Sequence, residues 1–265
     1  MVSALLLPTA TAVASRLVVV DRTGSTNSDL VRAAAADPAG WPHLSVLATD
    51  DQVAGRGRLD RSWQAPAGTS LAASVLLRPA IAAGNFGWIP LLAGLAMTRA
   101  IRAAGADGAL KWPNDVLVGG RKVCGILAEL LPGPSSSAAG GQPTTGVAVV
   151  VGSGVNLAMT EAQLPVPTAT SLAIEGADPD PDALLAAYLG GLRDLVALLE
   201  ADPDAARAEV VAGLATIGKE VRVQLPNDGT LTGTATGLDE SGRLQVDNDA
   251  GTTTVGAGDV THVRY

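Results

Sequence analysis

SLAASVLLRP, Ser70 to Pro79, is apolar at both its odd and its even positions, so as a strand it has no face to turn toward water. It needs cover on both sides, and the segments around it are of kinds that provide cover. Leu17 to Val20 and Ser45 to Asp50 read as short strands, and between them Ser25, Thr26 and Asn27 offer capping side chains ahead of an alanine-rich helix. Apolar residues recur at helical spacing from Phe86 to Ala104, with Gly105 as a stop. Strand texture returns at Leu110 to Pro113, Asp115 to Val118 and Cys124 to Leu131, with a GGRK turn between the last two, and again in VAVVVGSGVNLAM from Val147. Asp180 and Pro181 form an N-cap and N1 pair for a helix running to about Ala201, and a further helix is expected over Asp204 to Ala215. Pro132 to Gly146, PGPSSSAAGGQPTTG, has the composition of a flexible hairpin loop.

From Ile217 the texture changes to short β-branched runs separated by NDG, ESG and AG turns, which predicts about five antiparallel strands in a small barrel. The expected organisation is therefore an N-terminal extension over residues 1–16, an α/β (α+β) body over 17–215 and a C-terminal barrel over 216–265. The apolar start, MVSALLLPTATAVASR, lacks a basic n-region and is interrupted by Pro8, so it reads as a ragged, partly extended terminus rather than a secretion signal. No stretch reaches the roughly 20 uninterrupted apolar residues of a membrane span.

The chain carries 26 acidic against 18 basic residues, a formal net charge of −8, which argues against nucleic acid or an anionic membrane as a partner. Its one cysteine, Cys124, excludes an intramolecular disulfide and favours a reducing, cytoplasmic compartment. Cys124 reads as a small buried hydrophobe, and His43 and His262 read as surface residues, so no nucleophilic triad is indicated. Lysine is scarce (Lys111, Lys122 and Lys219 against fifteen arginines), which makes each lysine a candidate for a specific role.

Cationic charge is concentrated in DQVAGRGRLDRSW, Asp51 to Trp63. Gly55 and Gly57 allow backbone to come close to a ligand, while Arg56, Arg58 and Arg61 offer forked donors suited to carboxylate or phosphate. Trp63 offers an apolar wall beside them. A solvated loop accounts for the same residues. Lys111, before Trp112 and Pro113 at a strand end, either snorkels to the surface or is aimed into a pocket. Gly125, within a strand, marks a place where a ligand or another backbone comes close. No GxxxxGK[ST] is present, and GSGVNL from Gly152 lacks the third glycine and the helix of a dinucleotide fingerprint.

The order TGSTN (Thr23 to Asn27), DQxAGRGR (Asp51 to Arg58) with Trp63, KWPND (Lys111 to Asp115), GILxE (Gly125 to Glu129), GxGxN (Gly152 to Asn156) and ATSL (Ala169 to Leu172) resembles the biotin protein ligase family. The resemblance implies a mixed-sheet catalytic domain related to class II aminoacyl-tRNA synthetases, followed by an SH3-like barrel. It also implies a two-step reaction. The biotin carboxylate attacks the α-phosphate of ATP, giving biotinoyl-5′-AMP and pyrophosphate, and a lysine of a biotin carboxyl carrier domain of an acyl-CoA carboxylase then attacks the mixed anhydride.

On the same resemblance Ser25, Thr26, Asn27, Gln52 and Gly55 are expected around biotin, with Gly125 and Ile126 along its rings. Arg56 and Arg58 are expected to act in catalysis on the loop that closes over the adenylate. Gly57, Trp63, Asn114 and Asn156 are expected on the nucleotide side, and Lys111 between the biotin carboxylate and the α-phosphate. Magnesium is implied by ATP, with no protein ligand named. The short segment before the first strand matches the members without a DNA-binding domain; such proteins occur as monomers or homodimers. The rival readings are a lipoate or octanoyl transferase of the same superfamily, a biotin-responsive repressor, and a module that binds biotin without turnover.

Overall fold

The structure is a computed structural model and describes residues 5–58, 61–131, 147–178, 180–225, 229–256 and 258–263. The expected loop from Pro132 to Gly146 lies outside the described residues.

The chain begins with α1 (Pro8–Val13), then β1 (Arg16–Val19), α2 (Thr26–Ala36) and β2 (Ser45–Thr49). The arginine segment holds two short strands, β3 (Gly55–Arg56) and β4 (Ser62–Trp63). After β5 (Ser70–Leu77), a 3-10 turn over Ala83–Trp88 leads into α3 (Ile89–Ala103). Next come β6 (Gly108–Lys111), β7 (Asp115–Val118), β8 (Arg121–Leu131) and β9 (Ala148–Asn156), then α4 (Pro181–Ala201) and α5 (Pro203–Gly213). The chain closes with β10 (Glu220–Gln224), β11 (Thr230–Leu238), β12 (Leu244–Asn248), β13 (Gly251–Val255) and β14 (Asp259–His262).

Seven strands form one mixed sheet in the order β1-β2-β5-β9-β8-β7-β6, with β1 and β2 parallel and the other neighbours antiparallel. All eight residues of β5 are buried, as its two apolar faces require. The two faces of the sheet are covered unequally. Leu71, Ala73, Val75, Cys124, Ile126, Val151 and Val155 join a large core with α3 and α4, whereas Leu47, Leu76, Ala148 and Val150 pack in a smaller cluster with Leu30 and Ala34 of α2. α2 packs chiefly on β2, β5 and β9, and the β7–β8 part of that second face is left for the loop that carries the arginines.

The five C-terminal strands form a separate antiparallel sheet in the order β13-β12-β11-β10-β14, the small antiparallel unit expected from the turn texture and SH3-like as the resemblance implies. Val221, Val223, Ala235, Leu244, Val246 and Val260 form its interior.

The N-terminal segment differs from the expectation of a ragged terminus. Pro8–Val13 is helical, Leu7 and Ala10 are in the core, and Asp182 at the start of α4 accepts the amides of Thr9 (2.9 Å) and Ala10 (2.8 Å). A six-residue helix has almost no sequence signature, and its anchor lies more than 170 residues away. Burial pushes the Asp182 carboxyl up, but the bonds from the Thr9 hydroxyl and from the amides of Ala10 and Thr9 outweigh it and hold the group below its ordinary value of 3.8. A depressed folded value means that the stabilisation is complete above the ordinary aspartate range and is lost as pH falls through the lower folded value. Asp182→Ala is expected to destabilise the protein by about 1–3 kcal/mol, because two amides lose their acceptor. Hydrogen exchange over residues 7–14 should accelerate in that variant at neutral pH, and in the wild type only under strongly acid conditions. Unchanged protection in the variant would show that Asp182 is not the anchor.

The two histidines are half-buried rather than on the open surface. His43 Nδ1 accepts the Arg78 amide at 3.0 Å, and burial lowers its pKa, while His262 Nε2 lies 3.3 Å from Thr216 Oγ1. Cys124 is fully buried and burial pushes its thiol up to about 12, which suits the packing role expected of it.

Candidate active site

One row of strand partners crosses the sheet as Lys111, Asp115, Gly125, Gly154, Ala72 and Thr49. Directly paired residues point to the same face, so the row presents a lysine, an aspartate and then two glycines with no side chain. The glycines form a floor, and the Trp63 indole lies across it. A Cβ at Gly154 would stand 2.5 Å from Trp63 Cε2, and one at Gly125 would stand 3.3 Å from its Cζ3. The close approach expected at Gly125 is thus an approach by Trp63, and Gly154 shares it. Trp63 Nε1 is buried and has no hydrogen-bond partner, so a donor faces this floor with its bond unmade.

Trp63 reaches the floor because the arginine segment is more ordered than a solvated loop. Gly55 pairs with Trp63 and Arg56 with Ser62, and the Gly57 amide donates to the Arg61 carbonyl at 2.6 Å. Gly55 has no room for a side chain, since a Cβ would collide with the Gln52 amide and the Trp63 carbonyl. Arg56 meets Glu129 at 2.5 Å, and Arg58 donates to Asn114 Oδ1 at 3.2 Å. Both arginines therefore strap the loop to the sheet. The Arg56 pair is partly exposed and worth only about 0.2–1 kcal/mol by itself.

At one end of the floor lies a cluster of hydrogen-bonding groups. Ser25 caps α2, accepting the Ser28 amide. Gln52 Oε1 accepts the Thr26 amide (2.9 Å) and lies 3.1 Å from its hydroxyl. Asn27 Nδ2 donates to the Leu127 carbonyl (3.1 Å) and to Glu129 (2.8 Å), while its Oδ1 accepts from Ser74 Oγ at 2.6 Å. Ser74 was not singled out by the sequence, and Glu129 entered it only as the last residue of the GILxE motif. Glu129 lies on the floor side because Gly125, Leu127 and Glu129 alternate to one face of β8.

At the other end lie the cations. Lys111 Nζ is 3.9 Å from Asp115 and Lys122 Nζ is 2.5 Å from the same carboxylate. Lys122 is also within 3.1 Å of the Cβ position of Gly125 and 5.6 Å from the Trp63 ring centroid, a cation over an aromatic face. Lys122 is a residue that the sequence did not place at this site. It stands directly at the floor, whereas Lys111 is ranged on the far side of Asp115. The signal was present in the scarcity of lysine but not in its spacing. A register shift between Val116 and Leu117 lets Val123 and Cys124 both enter the core and brings Lys122 back to the floor side.

Three other expected residues act through the backbone or as supports. Ile126 points into the core on the face opposite Gly125, so its side chain does not line the floor as expected; alternation along a strand dictates this. Its amide donates to the Asn114 carbonyl (2.9 Å) and its carbonyl accepts Asn114 Nδ2 (2.6 Å). Asn156 is buried, and its amide group donates to the Thr170 carbonyl at 2.8 Å. Thr170 in turn donates its amide to the Lys122 carbonyl, so Asn156 and the ATSL segment brace the strand that carries Lys122.

The sequence profile of the Biotin/lipoate A/B protein ligase family matches residues 19–141, and that of the Biotin protein ligase C terminal domain matches residues 216–263. A biotin--[acetyl-CoA-carboxylase] ligase of Mycobacterium tuberculosis is 39% identical over 258 residues, covering 94% of this chain and 90% of that protein. The bifunctional ligase/repressor BirA of Escherichia coli is 32% identical over 208 residues, covering 75% of this chain and 60% of that protein. Among solved structures, the biotin protein ligase of Aquifex aeolicus in complex with biotin and ATP superposes with a TM-score of 0.74 at 25% identity, over 95% of this chain and all of that one.

Proposed function

This chain belongs to the biotin protein ligase family, and from that premise we propose a division of labour among its own residues in the two half-reactions of biotin ligation. The observation that carries the proposal is the glycine floor of Gly125 and Gly154, covered by the Trp63 indole, with the uncharged side chains of Ser25, Thr26, Asn27 and Gln52 at one end and Lys122, Lys111 and Arg58 at the other. Biotin has that polarity: an uncharged ureido head, an apolar ring and chain, and a carboxylate.

Ser25, Thr26, Asn27 and Gln52 suit the ureido head. Asn27 already spends its amide hydrogens on Leu127 and Glu129, so its part is to hold the wall in place as much as to touch ligand. The ring system is proposed to lie beside the Trp63 indole, which itself fills the space over Gly125 and Gly154, unless the indole swings aside to open that floor. The carboxylate then falls beside Lys122. In the first step a carboxylate oxygen bonds to the α-phosphorus of ATP and the bond to pyrophosphate breaks. Two anions must meet for this, and Lys122 lies where its ammonium can hold both. Lys111 and Lys122 share Asp115, so the carboxylate fixes both ammonium groups and tempers their charge until substrate arrives.

In the second step the carrier amine attacks the biotinoyl carbonyl, AMP departs and the amine loses a proton. Arg58 and the hairpin that bears it keep water from the anhydride until then. Gly57, Asn114 and Trp63 stand on the side where the nucleotide would extend, and Asn156 supports that side from below.

Magnesium does not fit as an ion held by protein ligands. Asp115 and Glu129, the carboxylates at the floor, are each engaged by cationic side chains, and no group of three metal-ligating side chains occurs among the described residues. We infer that it comes on the phosphates of ATP. The carrier is proposed to be a biotin carboxyl carrier domain of an acyl-CoA carboxylase, in keeping with the substrate named for the mycobacterial relative. No helix among the described residues is long and apolar enough to cross a membrane, and a cytoplasmic location is proposed from the single buried thiol and the ATP chemistry.

Biotin-dependent exchange of labelled pyrophosphate into ATP tests the first step. Exchange driven by biotin is expected; exchange driven by lipoate and not by biotin would assign the chain to the lipoate branch instead.

A further inference from the structure

The residues Lys111 to Asp115 form the turn between β6 and β7, closed by the pairing of Lys111 with Asp115. This one turn supplies Lys111, the Asn114 amide that meets Arg58 and the Asp115 carboxylate that meets both lysines. Trp112 follows Lys111 in it, is buried, and points away from the floor toward the C-terminal barrel.

There it meets a turn built to receive it. Asp239 to Arg243 is closed by backbone bonds between Asp239 and Arg243 (2.9 Å) and between Gly242 and Asp239 (3.0 Å). The Asp239 carboxylate accepts the amides of Ser241 and Arg243, both at 2.9 Å. Gly242 takes a positive φ of 79°. The turn aims two carbonyls at two indoles: Trp112 Nε1 donates to Gly242 (3.0 Å) and Trp88 Nε1 donates to Glu240 (2.8 Å). At Gly87 the two surfaces are so close that a Cβ would collide with the Ser241 carbonyl.

A second tie reaches Trp112 from the start of the barrel. Its backbone amide donates to Thr216 Oγ1 at 3.0 Å, and His262 Nε2 of β14 lies 3.3 Å from the same hydroxyl. Thr216 and Trp112 are both buried, so the bond between them is shielded from bulk water. A cavity of about 250 Å³ between the barrel turn and the sheet is bordered by Gly242 and Arg243 on one side and by Arg58 and Asn114 on the other. The barrel therefore touches the turn at its indole and at its backbone, and the space behind the turn is partly open. The bonds between Asn114 and Ile126 hold the turn to the sheet on its other side, so loss of the two barrel ties loosens it at Trp112.

We propose that Trp112 and Thr216 are positioning residues for adenylation: the barrel, through the carbonyl of Gly242 and the hydroxyl of Thr216, fixes the turn that places Asp115, its two lysines and the partner of Arg58. The proposal rests on the ligase reading above. It assigns a task in the first half-reaction to the C-terminal sheet, whose described residues provide none of the groups on the glycine floor. Small displacements of a positioned charge are costly in rate, which gives the proposal a measurable consequence.

Four variants measured together test it: Trp112→Phe, Trp88→Phe, Thr216→Val and Thr216→Ser, each assayed for biotin-dependent pyrophosphate exchange and for Tm. Both tryptophan variants lose one indole bond to the same barrel turn, but only Trp112 lies in the turn between β6 and β7. Trp112→Phe and Thr216→Val are expected to lose on the order of 10- to 100-fold in kcat with the biotin KM within about twofold of wild type. Thr216→Ser keeps the acceptor and should restore the wild-type rate, and Trp88→Phe should lower Tm while leaving kcat within about twofold. A kcat within twofold of wild type in Trp112→Phe or in Thr216→Val, an equal loss in Trp88→Phe, or no rescue by serine overturns the proposal. A wild type that shows no biotin-dependent exchange at all overturns the ligase reading itself, an outcome distinct from any of these.

Discussion

Lys122→Ala is expected to lower the rate of biotin-dependent pyrophosphate exchange on the order of 10²- to 10³-fold, while the dissociation constant for biotin alone rises by no more than about tenfold. The split follows from where charge develops. In the binary complex Lys122 faces a single carboxylate that water can also accommodate, whereas at the moment of attack it faces a carboxylate and an α-phosphate together. Lys111→Ala should cost less, roughly tenfold, because Lys111 stands 3.9 Å from Asp115 while Lys122 stands 2.5 Å from it and also borders the Gly125 floor. Lys122→Arg should recover little, since a planar fork cannot take the place of a compact ammonium between Asp115 and the Trp63 ring. If Lys111→Ala proves the more damaging, the bridging role belongs to Lys111, as the family resemblance implies, and Lys122 serves only to hold Asp115.

The second large effect concerns retention of the intermediate. Arg58→Gly should speed the escape of biotinoyl-5′-AMP on the order of 10- to 100-fold, the consequence of removing one charge-assisted bond worth about 1.5–3 kcal/mol. Arg56→Gly should have a smaller effect on escape, because Arg56 is spent on Glu129 at the partly exposed edge of the hairpin. The measurement is the decay of preformed enzyme-bound adenylate after dilution, with free adenylate quantified by mass. Equal retention in wild type and Arg58→Gly would mean that the hairpin closes the site without help from that charge. A faster escape should appear together with labelling of lysines on proteins that are not carriers, since the free anhydride reacts with any exposed amine.

Much of this arrangement was legible in the sequence for identifiable physical reasons. The two-faced apolar character of Ser70 to Pro79 required a central strand, and β5 sits between β2 and β9 with every residue buried. Asp180 and Pro181 announced the start of α4, where the Asp180 side chain does accept the Asp182 amide. The NDG, ESG and AG turns implied short antiparallel strands, and five are found. Cys124 was correctly read as packing, since an isolated thiol amid apolar neighbours has no partner to activate it.

What was not legible depended on contacts distant in sequence or on irregular strand geometry. Alternation alone puts Lys122 with Cys124 and Ile126 on the core face, and only the register shift opposite Val116 returns it to the site. The same alternation, which no motif overrides, places the Ile126 side chain in the core although it follows Gly125 directly. The helix at Pro8–Val13 has its anchor at Asp182, and Trp112 has its partners at Thr216 and Gly242. Such bonds cannot be inferred from local propensity. Gly154 lay inside a motif that failed as a dinucleotide fingerprint, and its use as the bed for an indole ring became visible only once Trp63 was folded back over it.

Transfer to a carrier joins both half-reactions in a single readout. The purified chain is incubated with ATP, magnesium and equal concentrations of biotin and lipoate, together with a biotin carboxyl carrier domain, and the intact carrier is then weighed and its modified peptide sequenced. A single biotinoyl group on one lysine, absent when ATP is withheld and formed on the order of 10²- to 10³-fold more slowly by Lys122→Ala, is the predicted result. An unmodified carrier in the presence of exchange-active enzyme, or lipoyl groups in place of biotinoyl groups, would contradict it.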